Sequence, residues 1–207
     1  SDDWWEENYL SSREKHFRDT NIDFFYSNTN IFYEKKRKKK LYRNFSLPHG
    51  KIFSDLVKDY FIIISGIIFK KELFEKYGKF NEDYSIIGDY DFIMKISKYC
   101  NAHVNNLPLL NYRVHEKNFL KLHSKLYYEE YKDWFDKNVK ENDDYFKNYI
   151  YLLKNKLGYI EILSLIENEE KNISTLIKIF KHKVLIEKIK LLILFFLPKN
   201  LLIFLGK

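Results

Sequence analysis

Glycine, proline and cysteine are all scarce in this chain of 207 residues, with 6 Gly, 3 Pro and one Cys. So few turn-forming residues leave little room for linkers, which implies one compact unit with a tail. A single cysteine, Cys100, excludes an intramolecular disulfide and a cysteine-rich zinc site, and it fits a reducing, cytoplasmic setting. No basic start, apolar run and small-residue cleavage site occur together, so a signal peptide is not expected. Met94 is the only methionine and the chain opens Ser1-Asp2-Asp3, which suggests a sequence that begins within a gene.

Apolar residues are plentiful: 45% of the chain is hydrophobic and 18% aromatic, enough to bury a sizeable core and to argue against disorder. The net charge of +7 suits nucleic acid, an anionic membrane surface or a phosphorylated substrate. Nucleic acid is not expected, because the aromatics sit in apolar runs and no nucleic-acid motif is present.

The pattern reads as alternating strands and helices from Ile22 to Val114, which indicates an α/β layer architecture. Polar Glu6 to Arg18 predicts a short helix and aromatic Ile22 to Tyr33 a strand. The basic run Lys35 to Lys40 reads as a solvated turn, or a phosphate- or membrane-facing loop, with Leu41 to Phe45 returning as a second strand. Ile52 to Tyr60 reads as a helix, Phe61 to Phe69 as a buried strand interrupted by Ser65-Gly66, and Lys71 to Tyr77 as a short helix stopped by Gly78. A helix from about Tyr90 to Tyr99 precedes two short strands, Ala102 to Asn105 and Leu109 to Val114. Beyond Phe119 the pattern is helical, ending in the basic apolar stretch Val184 to Leu205. Its apolar run is too short to span a bilayer and is interrupted by Pro198; an interfacial helix on an anionic membrane and a helix docked on protein both remain open.

Three short segments could carry chemistry. Adjacent Asp2 and Asp3 offer hard oxygen ligands for Mg²⁺ or Mn²⁺, or ordinary acidic charge at a helix start. In Gly88-Asp89-Tyr90-Asp91 the glycine would let the backbone turn before a helix; Asp89 could serve as a general base, with Asp91 capping the loop, or the segment is simply an N-cap. In the segment Asn111 to Asn118, Arg113 could contact a phosphate and His115 could ligate a metal, although a lone histidine at a strand end is commonly a surface residue.

Taken in order, these segments resemble the second half of family 2 glycosyltransferases with the GT-A fold. Ser1-Asp2-Asp3-Trp4-Trp5 is similar to their Asp-x-Asp motif, often followed by another Asp and Trp, without its first Asp. Gly88-Asp89-Tyr90-Asp91 is similar to their Glu-Asp-x-Asp loop, with Gly88 in place of the Glu. Tyr112, Arg113, His115 and Asn118 match a Tyr-Arg-x-His-x-x-Asn segment, and Phe80-Asn81-Glu82 is similar too. The resemblance covers about 1–119.

It implies the C-terminal half of a GT-A (Rossmann-like) α/β domain over 1–118, with a helical extension carrying a membrane-surface tail over 119–207. The nucleotide-binding half would lie upstream, and this chain alone would not turn over. The implied activity is metal-assisted, inverting transfer from a nucleotide-sugar to a polysaccharide, glycan or lipid-linked acceptor at the cytoplasmic face of a membrane. Asp89 would be the base and Asp2, Asp3 and His115 the ligands of Mn²⁺ or Mg²⁺; Asp2, Arg113 and Asp91 would contact or brace substrate. The alternative is a non-catalytic, membrane-associated binding protein of the same descent.

Overall fold

The computed structural model describes residues 2–14, 21–115, 123–140 and 144–198. The chain divides into two units, 1–116 and 117–207. In the first, the elements run β1 (Trp4–Trp5), α1 (Ser11–Glu14), β2 (Phe24–Tyr33), β3 (Lys38–Leu41), α2 (Phe53–Lys58), β4 (Ile67–Phe69), α3 (Glu72–Tyr77), α4 (Gly88–Ser97) and β5 (Ala102–Val114). The strands form one open sheet in the order β1-β5-β2-β3, with β4 also paired to β2. Among the described strands only β2 and β5 are parallel; the other pairings are antiparallel, so the sheet is mixed.

Phe24 to Thr29 of β2 are all buried, as befits a central strand covered on both faces. Its parallel register against β5 runs from Phe24↔Ala102 to Tyr33↔Val114 and slips on either side of Asn28. Asn105 to Pro108 occupy this irregularity, where the proline's missing N–H costs no regular ladder bond. Asn28 fills the gap, its amide donating to the Arg43 carbonyl at 2.8 Å and its oxygen accepting from Thr29 N–H at 2.9 Å. The two short strands expected over 102–114 are therefore one bulged strand.

Two further expectations change. The basic run is not only a turn: a 3-10 turn over Glu34–Lys36 and the left-handed Arg37 (φ 48°) lead into β3, which begins at Lys38 and ends at Leu41. Charged residues suit this edge position because they discourage further pairing. The apolar run from Phe61 is not one strand either: Ile64–Gly66 form a 3-10 turn, and only Ile67–Phe69 pair with β2. A Cβ on Gly66 would lie 2.8 Å from Leu110 Cδ2, so this turn approaches β5 more closely than a side chain permits.

Helix α3 stops at Gly78 in the left-handed region (φ 82°), as its sequence predicts. The rings of Phe69, Phe74, Phe80 and Phe92 gather at 4.9–5.6 Å, and Phe92, Ile93, Met94 and Ile96 of α4 are buried. This packing seats the N-terminal turn of α4, where Asp89 stands. Near the chain's start, Glu7 to Leu10 form turns rather than the expected helix, α1 is described over Ser11–Glu14, and 15–18 of that expectation lie outside the described residues.

The second unit is helical: α5 (Ser124–Phe135), α6 (Ile150–Glu167), α7 (Ile173–Lys181) and α8 (Leu185–Phe196). Tyr131, Trp134, Phe135 and Phe146 are buried together, with Trp134 edge-on to Phe146 at 5.5 Å. Ile162 and Ile166 of α6, Ile179 of α7 and Leu191 of α8 form a second core. Asn172 caps α7 by accepting from Thr175 N–H at 3.0 Å. The Lys171 ammonium donates to the carbonyls of Leu194 and Leu197 at the end of α8. Among the described residues no helix is long and apolar enough to cross a membrane.

Candidate active site

Strand β1 has only two residues, yet its register against β5 (Trp4↔Asn111, Trp5↔Leu110) organises the site. It brings Asp2 and Asp3 beside Arg113 and His115, over a hundred positions away in the chain. Asp2 Oδ2 lies 2.7 Å from His115 Nε2. Asp3 Oδ1 accepts from the Arg113 backbone N–H at 3.0 Å, and its Oδ2 accepts from the Ser65 hydroxyl at 2.5 Å. The Trp5 indole donates to the Ser65 carbonyl at 2.7 Å, tying the same three segments together. The two aspartates thus precede a strand rather than a helix, and the helix-start reading of their charge does not hold.

The rings after the aspartates complete this anchor. Trp5 stacks on Tyr9 at 4.1 Å, and the guanidinium of buried Arg13 lies 3.6 Å from the centre of the Tyr9 ring. Trp4 meets Phe32 edge-on at 5.5 Å. The Arg113 guanidinium is 5.3 Å from the Trp4 ring centre and its Nη1 is 3.4 Å from Glu34 Oε1. Both partners of that ion pair are over a third exposed, so it positions Arg113 without adding much stability. Asn111 donates to Glu6 Oε1 at 2.8 Å, which holds the Glu6 carboxyl below its ordinary range.

Asp89 stands in the first turn of α4 and accepts from Tyr90 N–H at 2.7 Å. Burial nevertheless pushes its pKa up, against the opposing effect of the backbone hydrogen bonds. Ile87 is the N-cap and supplies no side-chain cap. Gly88 is the first residue of the helix and is not among the left-handed glycines, Gly50 and Gly78. The expected glycine-made turn is therefore absent, and a Cβ at Gly88 would meet its nearest atom, the Asn81 carbonyl oxygen, at an ordinary 3.6 Å. Asp91 is buried, its Oδ2 3.9 Å from Lys95 Nζ one turn on.

Tyr112 lies within the electrostatic influence of the acidic residues. Its phenol is pushed above its ordinary pKa by burial first, then by the negative charges of Asp3, Asp2 and Asp89. Carboxylates from two distant parts of the sequence therefore contribute to the electrostatics of one side chain. Asn118, the last residue of the matched segment, lies outside the described residues.

A divalent ion can be tested against these donors. Among the described residues no group of three or more His, Cys, Asp or Glu side chains could hold a metal. Asp2 and His115 offer one carboxylate and one imidazole at close range. The Asp2 carboxylate suits either Mn²⁺ or Mg²⁺ and the imidazole suits Mn²⁺ better than the harder Mg²⁺, with substrate phosphates and water needed for the remaining ligands. Both oxygens of Asp3 already accept hydrogen bonds from the fold, so Asp3 stands behind Asp2 as a ligand.

Sequence reasoning missed Ser65, Glu34 and Glu6 as supports, and gave Tyr112 no role. Ser65-Gly66 did break an otherwise apolar run, which was the available signal. No family model matches the chain, and a search of curated proteins returns no match.

Proposed function

We propose that this chain forms the acceptor-side part of a family 2 glycosyltransferase of the GT-A type, transferring a sugar from a nucleotide-sugar with inversion. The supporting observation is the register of β1 against β5, which sets Asp2 against His115 and Asp3 against the Arg113 backbone. The open mixed sheet and the placement of Asp89 at a helix start suit this reading.

In the proposed reaction Asp89 takes the proton of the acceptor hydroxyl as that oxygen attacks the anomeric carbon. Its raised pKa makes it a stronger base than an exposed carboxylate, while the neighbouring N–H donors keep it oriented. Asp2 and His115 would hold a divalent ion, which when bound neutralises the departing diphosphate. Arg113, braced by Glu34 and Trp4, would meet a phosphate, and Asp91, paired with Lys95 one turn on rather than capping the loop, would brace α4. The acceptor is a polysaccharide, glycan or lipid-linked oligosaccharide, used at the inner face of a membrane.

The test uses the full-length gene product with a panel of nucleotide-sugars and Mn²⁺, following nucleoside diphosphate release. Acceptor-dependent release is expected, and Asp89→Asn should lower it about 10²- to 10⁴-fold while donor binding persists. Activity that survives Asp89→Asn would refute the base assignment. Absence of transfer with every donor, alongside retained glycan binding, would favour the non-catalytic reading.

A further inference from the structure

The helical unit carries an apolar surface that its own core does not use. On α8, Leu185, Ile186, Ile189, Ile193 and Phe196 are exposed, Ile186 and Phe196 by 80% and 73%. At about 100° per residue they share one arc of about 100°, on the side away from fully buried Leu191. On α7, Ile173, Ile177 and Phe180 recur at helical spacing and are exposed as well, Ile173 by 77%. The two helices meet through Ile179 and Leu191, so both stripes belong to one packed unit.

The charge on these helices is predominantly positive, although Lys178 is paired with Glu161 of α6 at 2.5 Å. From Lys171 to Pro198 the chain has six lysines (Lys171, Lys178, Lys181, Lys183, Lys188 and Lys190) and one acidic residue, Glu187. Glu187 is engaged by His182, whose Nε2 lies 2.6 Å from its Oε2. Lys181, Lys183 and Lys190 are exposed; the ammonium groups of Lys183 and Lys190 lie 5.1 Å and 5.7 Å from the Tyr151 and Tyr159 ring centres, on flexible stems that let them swing toward a lipid surface. Twelve residues make α8 about 18 Å long, well short of the roughly 30 Å hydrocarbon core. A symmetric pairing of two copies would set lysines against lysines, which disfavours self-association.

We propose that α7 and α8 together form an interfacial surface for anionic lipid, their exposed apolar side chains entering the headgroup boundary and their lysines meeting lipid phosphates and carboxylates. This deepens the membrane reading above by adding α7 and naming the inserting residues. It rests on no catalytic assignment.

The test is co-sedimentation of the chain with vesicles of phosphatidylcholine alone and of equal parts phosphatidylcholine and phosphatidylserine. Binding to the anionic vesicles, weakened by salt, is expected, with little binding to the neutral ones. Ile186→Asp with Phe196→Asp should weaken it at least tenfold, by the cost of burying two charges. Both sites are exposed, so helix content by circular dichroism should not change. Lys181→Gln and Lys190→Gln should each cost about fivefold. A Phe196→Trp variant should shift its emission to the blue on anionic vesicles. Failure of the parent chain to bind, or equal binding by the double Asp variant, would overturn the proposal. So would concentration-dependent self-association abolished by the same variant, which would assign the stripe to a second copy. None of these outcomes bears on Asp89, whose role is read by turnover.

Discussion

Replacing Asp3 with alanine should destabilise the first unit far more than its partly exposed position suggests. Its two oxygens accept from the Arg113 backbone N–H at 3.0 Å and from the Ser65 hydroxyl at 2.5 Å. Hydrogen bonds to a charged acceptor contribute roughly 1.5–3 kcal/mol each, and partial exposure places both near the low end. Asp3→Ala should therefore cost about 2–4 kcal/mol, and Ser65→Ala about half of that. Urea unfolding of the chain measures both, and the double variant should show a coupling of about 1 kcal/mol. Asp2→Ala serves as the comparison: its contact with His115 is partly exposed and should contribute at most about 1 kcal/mol. A cost for Asp3→Ala under about 0.5 kcal/mol, the range of an ordinary surface change, would refute the reasoning. Asp3 would then be free for a metal, and its assignment as a structural tie would be withdrawn.

Gly66→Ala should cost about 1–3 kcal/mol by the same denaturation measurement, because its Cβ would lie 2.8 Å from buried Leu110 Cδ2. Full recovery on adding Leu110→Ala is not expected, since that leaves a cavity, but a smaller combined loss than the sum would locate the clash. Asn172→Ala removes the cap on Thr175 N–H and should cost about 1 kcal/mol, seen as lowered thermal stability of the helical unit. Asp89 is harder to ionise folded than unfolded, so its contribution is most favourable below its unfolded pKa and is lost as pH rises through the raised folded value. Asp89→Asn should therefore match the parent in acid and gain relative to it as pH rises through that window. A constant difference across the window would contradict the burial of Asp89.

Much of the local structure is legible because it rests on neighbouring residues. The stripe of Phe92, Ile93 and Ile96 predicts α4, and Gly78 stops α3 because it adopts a left-handed conformation that other residues resist. Longer-range features misled. Asn106-Leu107-Pro108 looks like a strand break, but pairing with β2 carries β5 through it as a bulge. Lys38 to Lys40 look like part of a solvated turn, with a strand starting only at Leu41, but the free edge of β2 recruits Lys38–Leu41 as β3.

The sequence by itself determined the helical periodicities, the turn glycines and the identity of the chemical groups available, because each depends on a few adjacent residues. Only the tertiary structure decided which of those groups meet. Asp2 reaches His115, and Asp3 reaches Arg113 and Ser65, through the antiparallel pairing of two tryptophans with Leu110 and Asn111. The raised pKa of Asp89 and the shared field at Tyr112 likewise come from burial among distant segments. Register and burial sum contacts over the whole fold, and no local stretch of sequence contains them.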